Sequence, residues 1–160
     1  MLQVAPKSSL LVYPLTAHPS NLAPGGWLEL QDVGPFPDSD DDTLLPKHAL
    51  FRWAQHLSEA CAKLGRPYQD VTTYKDLMAD IGFENISENK VKWPVSTWPK
   101  EKKFKVLGAW SYENISGGIE GFSMAPFTRG LGWQKEEVDM LLVEVRSDMR
   151  NRAIHAYFPV

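Results

Sequence analysis

The chain of 160 residues is long enough for one domain with a buried core and too short for two of ordinary size. With 43% hydrophobic and 23% charged residues it has a globular composition, and a net charge of −3 excludes a general attraction to nucleic acid or an anionic membrane. Its single cysteine, Cys61, rules out an internal disulfide and a cysteine-rich zinc cage, as in a reducing compartment.

Residues 1–20 carry Pro6, Pro14 and Pro19, and Ser8-Ser9-Leu10-Leu11-Val12-Tyr13 is their one strand-like run. A divergent segment or linker with at most a short edge strand is expected there. It has no basic start leading into an apolar signal core, and no run in the chain approaches the length of a membrane span. The expectation is a cytoplasmic or nuclear protein whose partners are neither nucleic acid nor membrane.

Pro24, Gly25 and Gly26 then predict a sharp turn feeding residues 27–30, an apolar-weighted run that fits one buried strand of a parallel sheet. Gln31 and Asp32 fall at its carboxyl end, where open α/β sheets receive ligands. Residues 33–46 read as a loop. Its run Asp38-Ser39-Asp40-Asp41-Asp42 lacks the glycine and distant glutamate of a calcium loop and reads as a solvated acidic stretch.

Residues 45–64 predict a helix with Leu50, Trp53, Leu57, Cys61 and Leu64 on one stripe, stopped by Gly65 and Pro67. A shorter helix is expected from Asp70, a capping residue, through Val71, Tyr74, Leu77, Met78 and Ile81 to Gly82. Residues 90–95 alternate Val91, Trp93 and Val95 against Lys90 and Lys92, the pattern of a strand with one face buried. Residues 100–124 form a third helical region whose apolar members are Phe104, Leu107, Trp110, Ile115, Ile119 and Phe122. Inside it, Ser116-Gly117-Gly118-Ile119-Glu120-Gly121 has neither the preceding strand nor the following helix start of a phosphate cradle, and reads as weakened or kinked helix. The clearest helix places Val138, Leu141, Leu142, Val145 and Met149 on one face, with Glu136 and Glu137 in its first turn and Arg146, Arg150 and Arg152 near its end. Residues 154–160 are strand-like.

Trp110 and Asn114 share a helix face and pair an aromatic with an amide, which suits a small organic ligand, although such a pair is more often a core tryptophan with a capping or solvated asparagine. His155 is a candidate proton acceptor because imidazole ordinarily titrates near neutrality, although such a histidine is more often plain hydrogen-bonded structure. Tyr157 lies beside it. His18, His48 and His56 show no compact ligand spacing, so no metal is assigned.

The segment Leu22-Ala23-Pro24-Gly25-Gly26-Trp27-Leu28-Glu29-Leu30-Gln31-Asp32 resembles one found in class I S-adenosylmethionine-dependent methyltransferases of the fungal velvet-complex, secondary-metabolism type. Asp41-Asp42-Thr43-Leu44, Leu64-Gly65-Arg66-Pro67, Ile81-Gly82-Phe83, Trp98-Pro99-Lys100, Leu107-Gly108-Ala109-Trp110, Phe127-Thr128-Arg129-Gly130-Leu131-Gly132-Trp133 and Ile154-His155-Ala156-Tyr157-Phe158-Pro159 continue the similarity in order. The resemblance implies an α/β fold: the C-terminal part of a Rossmann-like class I methyltransferase, with few strands and a large helical insertion. Residues 21–160 would be a partial, substrate-side domain, clipped at both ends.

By the same resemblance, Gln31, Asp32, Trp110, Asn114 and Tyr157 are expected to face the methyl acceptor, with His155 the candidate base. The family uses S-adenosylmethionine on small-molecule or protein acceptors. However, the glycine-rich turn after a first strand, which grips that cofactor, occurs nowhere in the sequence, so no cofactor is expected on the isolated chain. Two alternatives follow from that gap. One is a non-catalytic subunit docking on a full-length homologue or forming an oligomer; the other is an isomerase or cyclase that reuses the acceptor cavity.

Overall fold

In the computed structural model the described residues are 23 and 25–160, so the strand-like run within residues 1–20 lies outside them. They divide into two units, one holding residues up to Gln31 together with Gln69–Glu88, the other Asp32–Tyr68 together with Asn89–Val160.

In the first unit, Gly25 turns the chain at φ +79° and the Gly26 N–H donates to Ala23 O at 2.8 Å. The expected buried strand is not there: residues 26–31 have no regular structure, and Trp27 is 88% exposed. A strand exists only when a neighbour takes its backbone hydrogen bonds, and four apolar residues carry no information about that neighbour. The second expected helix forms as a 3₁₀ turn, Val71–Thr73, running into α2, Tyr74–Ile81. Asp70 caps it by accepting the Thr72 N–H at 2.9 Å, and Gly82 ends it at φ +103°.

The second unit is built on three helices: α1 (Ala49–Lys63), α3 (Lys102–Ala125) and α4 (Lys135–Arg150). α1 starts four residues later than its periodicity suggests, because the N-terminal turns beyond Pro46 give way to an extended His48. Its first turn is capped from a distance, the Leu50 N–H donating to Asp148 Oδ2 of α4 at 3.1 Å. Leu50, Trp53 and Leu57 are buried as expected, whereas Leu64 is exposed. The predicted face of α4 is buried throughout, from Val138 to Met149, and Glu137 accepts the Gln134 N–H at 2.7 Å at its start.

α3 runs unbroken through Gly117, Gly118 and Gly121. Of its expected apolar members only Ile119 is fully buried; Trp110 is 73% and Phe122 58% exposed. The helix touches the core along a narrow stripe, where Trp53 Nε1 donates to the Ser123 hydroxyl at 2.7 Å and that hydroxyl donates to Ile119 O at 2.6 Å. Gly108 lies so close to the segment after β1 that a Cβ there would sit 1.9 Å from Ser96 O. Past Ala125 the chain widens into a π-helical turn, Pro126–Leu131, which buries Phe127 between α1 and Trp133.

The sheet departs from the parallel expectation. It has two antiparallel strands, β1 (Lys92–Pro94) and β2 (Tyr157–Pro159), in the register Trp93 to Phe158 and Pro94 to Tyr157. The alternating face of residues 90–95 is also not observed. Val91 and Trp93 are exposed and the consecutive Pro94 and Val95 are buried, since α3 packs against the strand's far end and overrides the two-residue period. The described chain is therefore α-helical with a small antiparallel sheet. None of its helices is long and apolar enough to cross a membrane.

Candidate functional site

The acidic loop keeps its four aspartates exposed, as expected of a solvated stretch, while its backbone is docked along β2. The Asp38 and Tyr157 backbones exchange two hydrogen bonds of 2.9 Å, and the Gly34 N–H donates to Pro159 O at 2.7 Å. Gly34 is required for that approach, because a Cβ would meet the Pro159 ring at 2.7 Å. The loop becomes a third, irregular edge to the sheet, and its carboxylates come to rest over the side chains of β1 and β2.

The carboxylates of Asp40 and Asp41 have definite partners. Lys92 Nζ donates to both oxygens of Asp40 at 2.6 and 2.7 Å and stands 4.8 Å from the centre of the Tyr157 ring. The Tyr157 hydroxyl donates to Asp40 Oδ1 at 2.8 Å. The Lys92 ammonium and then the Tyr157 hydroxyl hold the Asp40 carboxyl below its ordinary range, while Asp40 raises Lys92. Burial, followed by the Asp40 carboxylate, pushes the Tyr157 phenol up.

Beside this pair, His155 Nδ1 meets Asp41 Oδ2 at 2.5 Å. Thr43 ties the two together: its hydroxyl donates to Asp41 at 2.8 Å and accepts the His155 backbone N–H at 2.8 Å. The His155 bond, then the Thr43 hydroxyl, holds the Asp41 carboxyl down. Trp98 lies against the imidazole with ring centres 4.9 Å apart and planes at 31°, anchored by its indole N–H on Ala156 O at 2.8 Å.

The structure thus brings His155 and Tyr157 to one corner. Tyr157 is almost wholly buried there, its hydroxyl committed to the loop, while His155 keeps an exposed edge. Trp110 and Asn114 share the solvent-facing side of α3. Gln31 ends the first unit, exposed and bonded to Glu29, and Asp32 opens the second, accepting the Val33 N–H at 2.8 Å. Sequence reasoning missed Asp40, Asp41, Thr43, Lys92 and Trp98, since a run of aspartates looks the same whether it is solvated or docked. A shallow depression of about 330 Å³ elsewhere, bounded by Lys47, His48, Arg52, Glu144 and Asp148, is occupied with structural work: the Arg52–Glu144 ion pair and the Asp148 cap.

No family model matches the chain, and no solved structure matches it. Proteins of known name do. A probable methyltransferase of Emericella nidulans, tdiE, is 36% identical over 141 residues, 88% of this chain and 44% of that protein. The methyltransferase pytC of Aspergillus terreus is 37% identical over 139 residues, 87% of this chain and 43% of its own length. This chain is homologous to fungal methyltransferases. The relatives extend to a protein-methionine methyltransferase, laeA of Emericella nidulans, 34% identical over 86% of this chain, and the same similarity reaches proteins named as secondary-metabolism regulators. The methyltransferase-related chain spans between 37 and 44% of the length of these three relatives.

Methyltransferase relatives imply S-adenosylmethionine as the family's cofactor, and the described residues do not fit it. Its dinucleotide-like grip needs a strand, a glycine turn and a helix start in succession. Here Gly117, Gly118 and Gly121 lie in the middle of α3, where backbone N–H groups are spent inside the helix, and the two strands are antiparallel.

Proposed function

We propose that these residues form the acceptor-facing part of a Rossmann-like class I, S-adenosylmethionine-dependent methyltransferase of fungal secondary metabolism, and that by themselves they have little affinity for the cofactor. The observation that carries this reading is a mismatch. Similarity to named methyltransferases runs through nearly nine-tenths of the chain, yet the same residues contain no glycine-rich strand–turn–helix. Within that reading His155 serves as proton acceptor at the β2 corner. Tyr157 holds the acidic loop that flanks it, and Asp32, Trp110 and Asn114 are further acceptor-side contacts. The acceptor is a small molecule or a protein. Isothermal titration of the 160-residue chain with S-adenosylmethionine tests the proposal: no saturation is expected across the micromolar range, and saturable micromolar binding would overturn it.

A further inference from the structure

Three restraints converge on the His155 imidazole: the Asp41 carboxylate on Nδ1, Trp98 on its face, and Thr43 bonded both to the backbone at 155 and to Asp41. An ionised carboxylate only accepts hydrogen bonds. The neutral ring therefore carries its proton on Nδ1 and presents a lone pair at Nε2, which has no hydrogen-bond partner among the described residues. The side chain is 39% exposed, so that lone pair is open to a visitor, and the Trp98 ring beside it offers a flat apolar wall.

We infer that Asp41 is a positioning residue that fixes His155 Nε2 as a proton acceptor, and that the molecule received at this corner is planar and carries an ionisable O–H or N–H. The inference rests on the acceptor-facing reading above and narrows it. In the proton step the O–H or N–H bond breaks, its electron pair stays on the heteroatom, and the proton bonds to Nε2. The new positive charge faces Asp41. A thioether sulfur has no proton to give up, so this arrangement has nothing to offer a methionine side chain.

Long-range nitrogen–proton correlation NMR on the 160-residue chain tests both parts, with the His155 signals assigned through His155→Gln. The neutral ring is expected as the Nδ1–H tautomer. Asp41→Asn, which still accepts from Nδ1, should retain it, and Asp41→Ala should lose it; an unchanged tautomer in a folded Asp41→Ala protein overturns the positioning role. Titration with 4-cyanophenol should then shift the Nε2 signal with about tenfold lower half-saturation than 4-cyanoanisole or N-acetylmethionine amide, the margin of one hydrogen bond to a basic nitrogen. Equal responses to all three overturn the assignment of a protic ligand. If the tautomer behaves as expected and no probe moves Nε2, the acceptor-facing reading fails while the role of Asp41 stands.

Discussion

One chemical change placed at two positions of α3 gives opposite signs. Replacing glycine by alanine inside a helix restores about 1 kcal/mol of helix propensity. At Gly117 an added Cβ meets nothing within 4 Å, so Gly117→Ala should stabilise the protein by most of that amount. At Gly108 the same methyl would lie 1.9 Å from Ser96 O, 2.6 Å from Ser96 C and 3.3 Å from Pro94 Cβ. The obstacle is backbone, not a flexible side chain, so α3 and the segment after β1 must separate by about 1 Å or more for normal contact. Overpacking of this kind costs about 1–3 kcal/mol or more, which outweighs the helical gain. With about 2–4 °C of Tm per kcal/mol for a chain of this size, Gly117→Ala should melt a few degrees above the parent and Gly108→Ala a few degrees below. Circular dichroism during heating and in urea reads both. A Gly108→Ala protein at or above the parent Tm would refute the close packing of α3 on residues 94–96.

The docked acidic loop predicts a response to acid. Asp40 and Asp41 have folded-state pKa values below the ordinary 3.8, so each stabilises the docked loop above that value and loses its contribution as pH falls through the depressed one. The variant Asp40→Asn with Asp41→Asn should melt below the parent at neutral pH, and the gap should close below pH 3.8; parallel curves of Tm against pH would refute the docking. In the core, Ser123→Ala strands the buried Trp53 N–H and should cost about 1–3 kcal/mol in urea unfolding, whereas a change within experimental scatter would mean that the indole finds another partner.

What the sequence determined by itself was local. The apolar stripe from Val138 to Met149, the Asp70 cap and the stop at Gly82 depend on residues within a turn or two of one another, and all three appear as read. The resemblance to fungal methyltransferases was likewise legible in short ordered motifs, and the named relatives show it. Tertiary structure decided everything whose partner is distant. Residues 27–30 have strand composition but no strand beside them among the described residues; β1 pairs antiparallel with a segment more than sixty residues later; and Trp110 faces solvent because α3 meets the core elsewhere. The candidate site belongs to this second class, since Asp41 reaches His155 across 114 residues of sequence and Tyr157 reaches Asp40 across 117. Periodicity reports which face of an element is apolar, but hydrogen-bond partners are chosen only when the chain closes, and a carboxylate run is silent about which cation or imidazole it will meet.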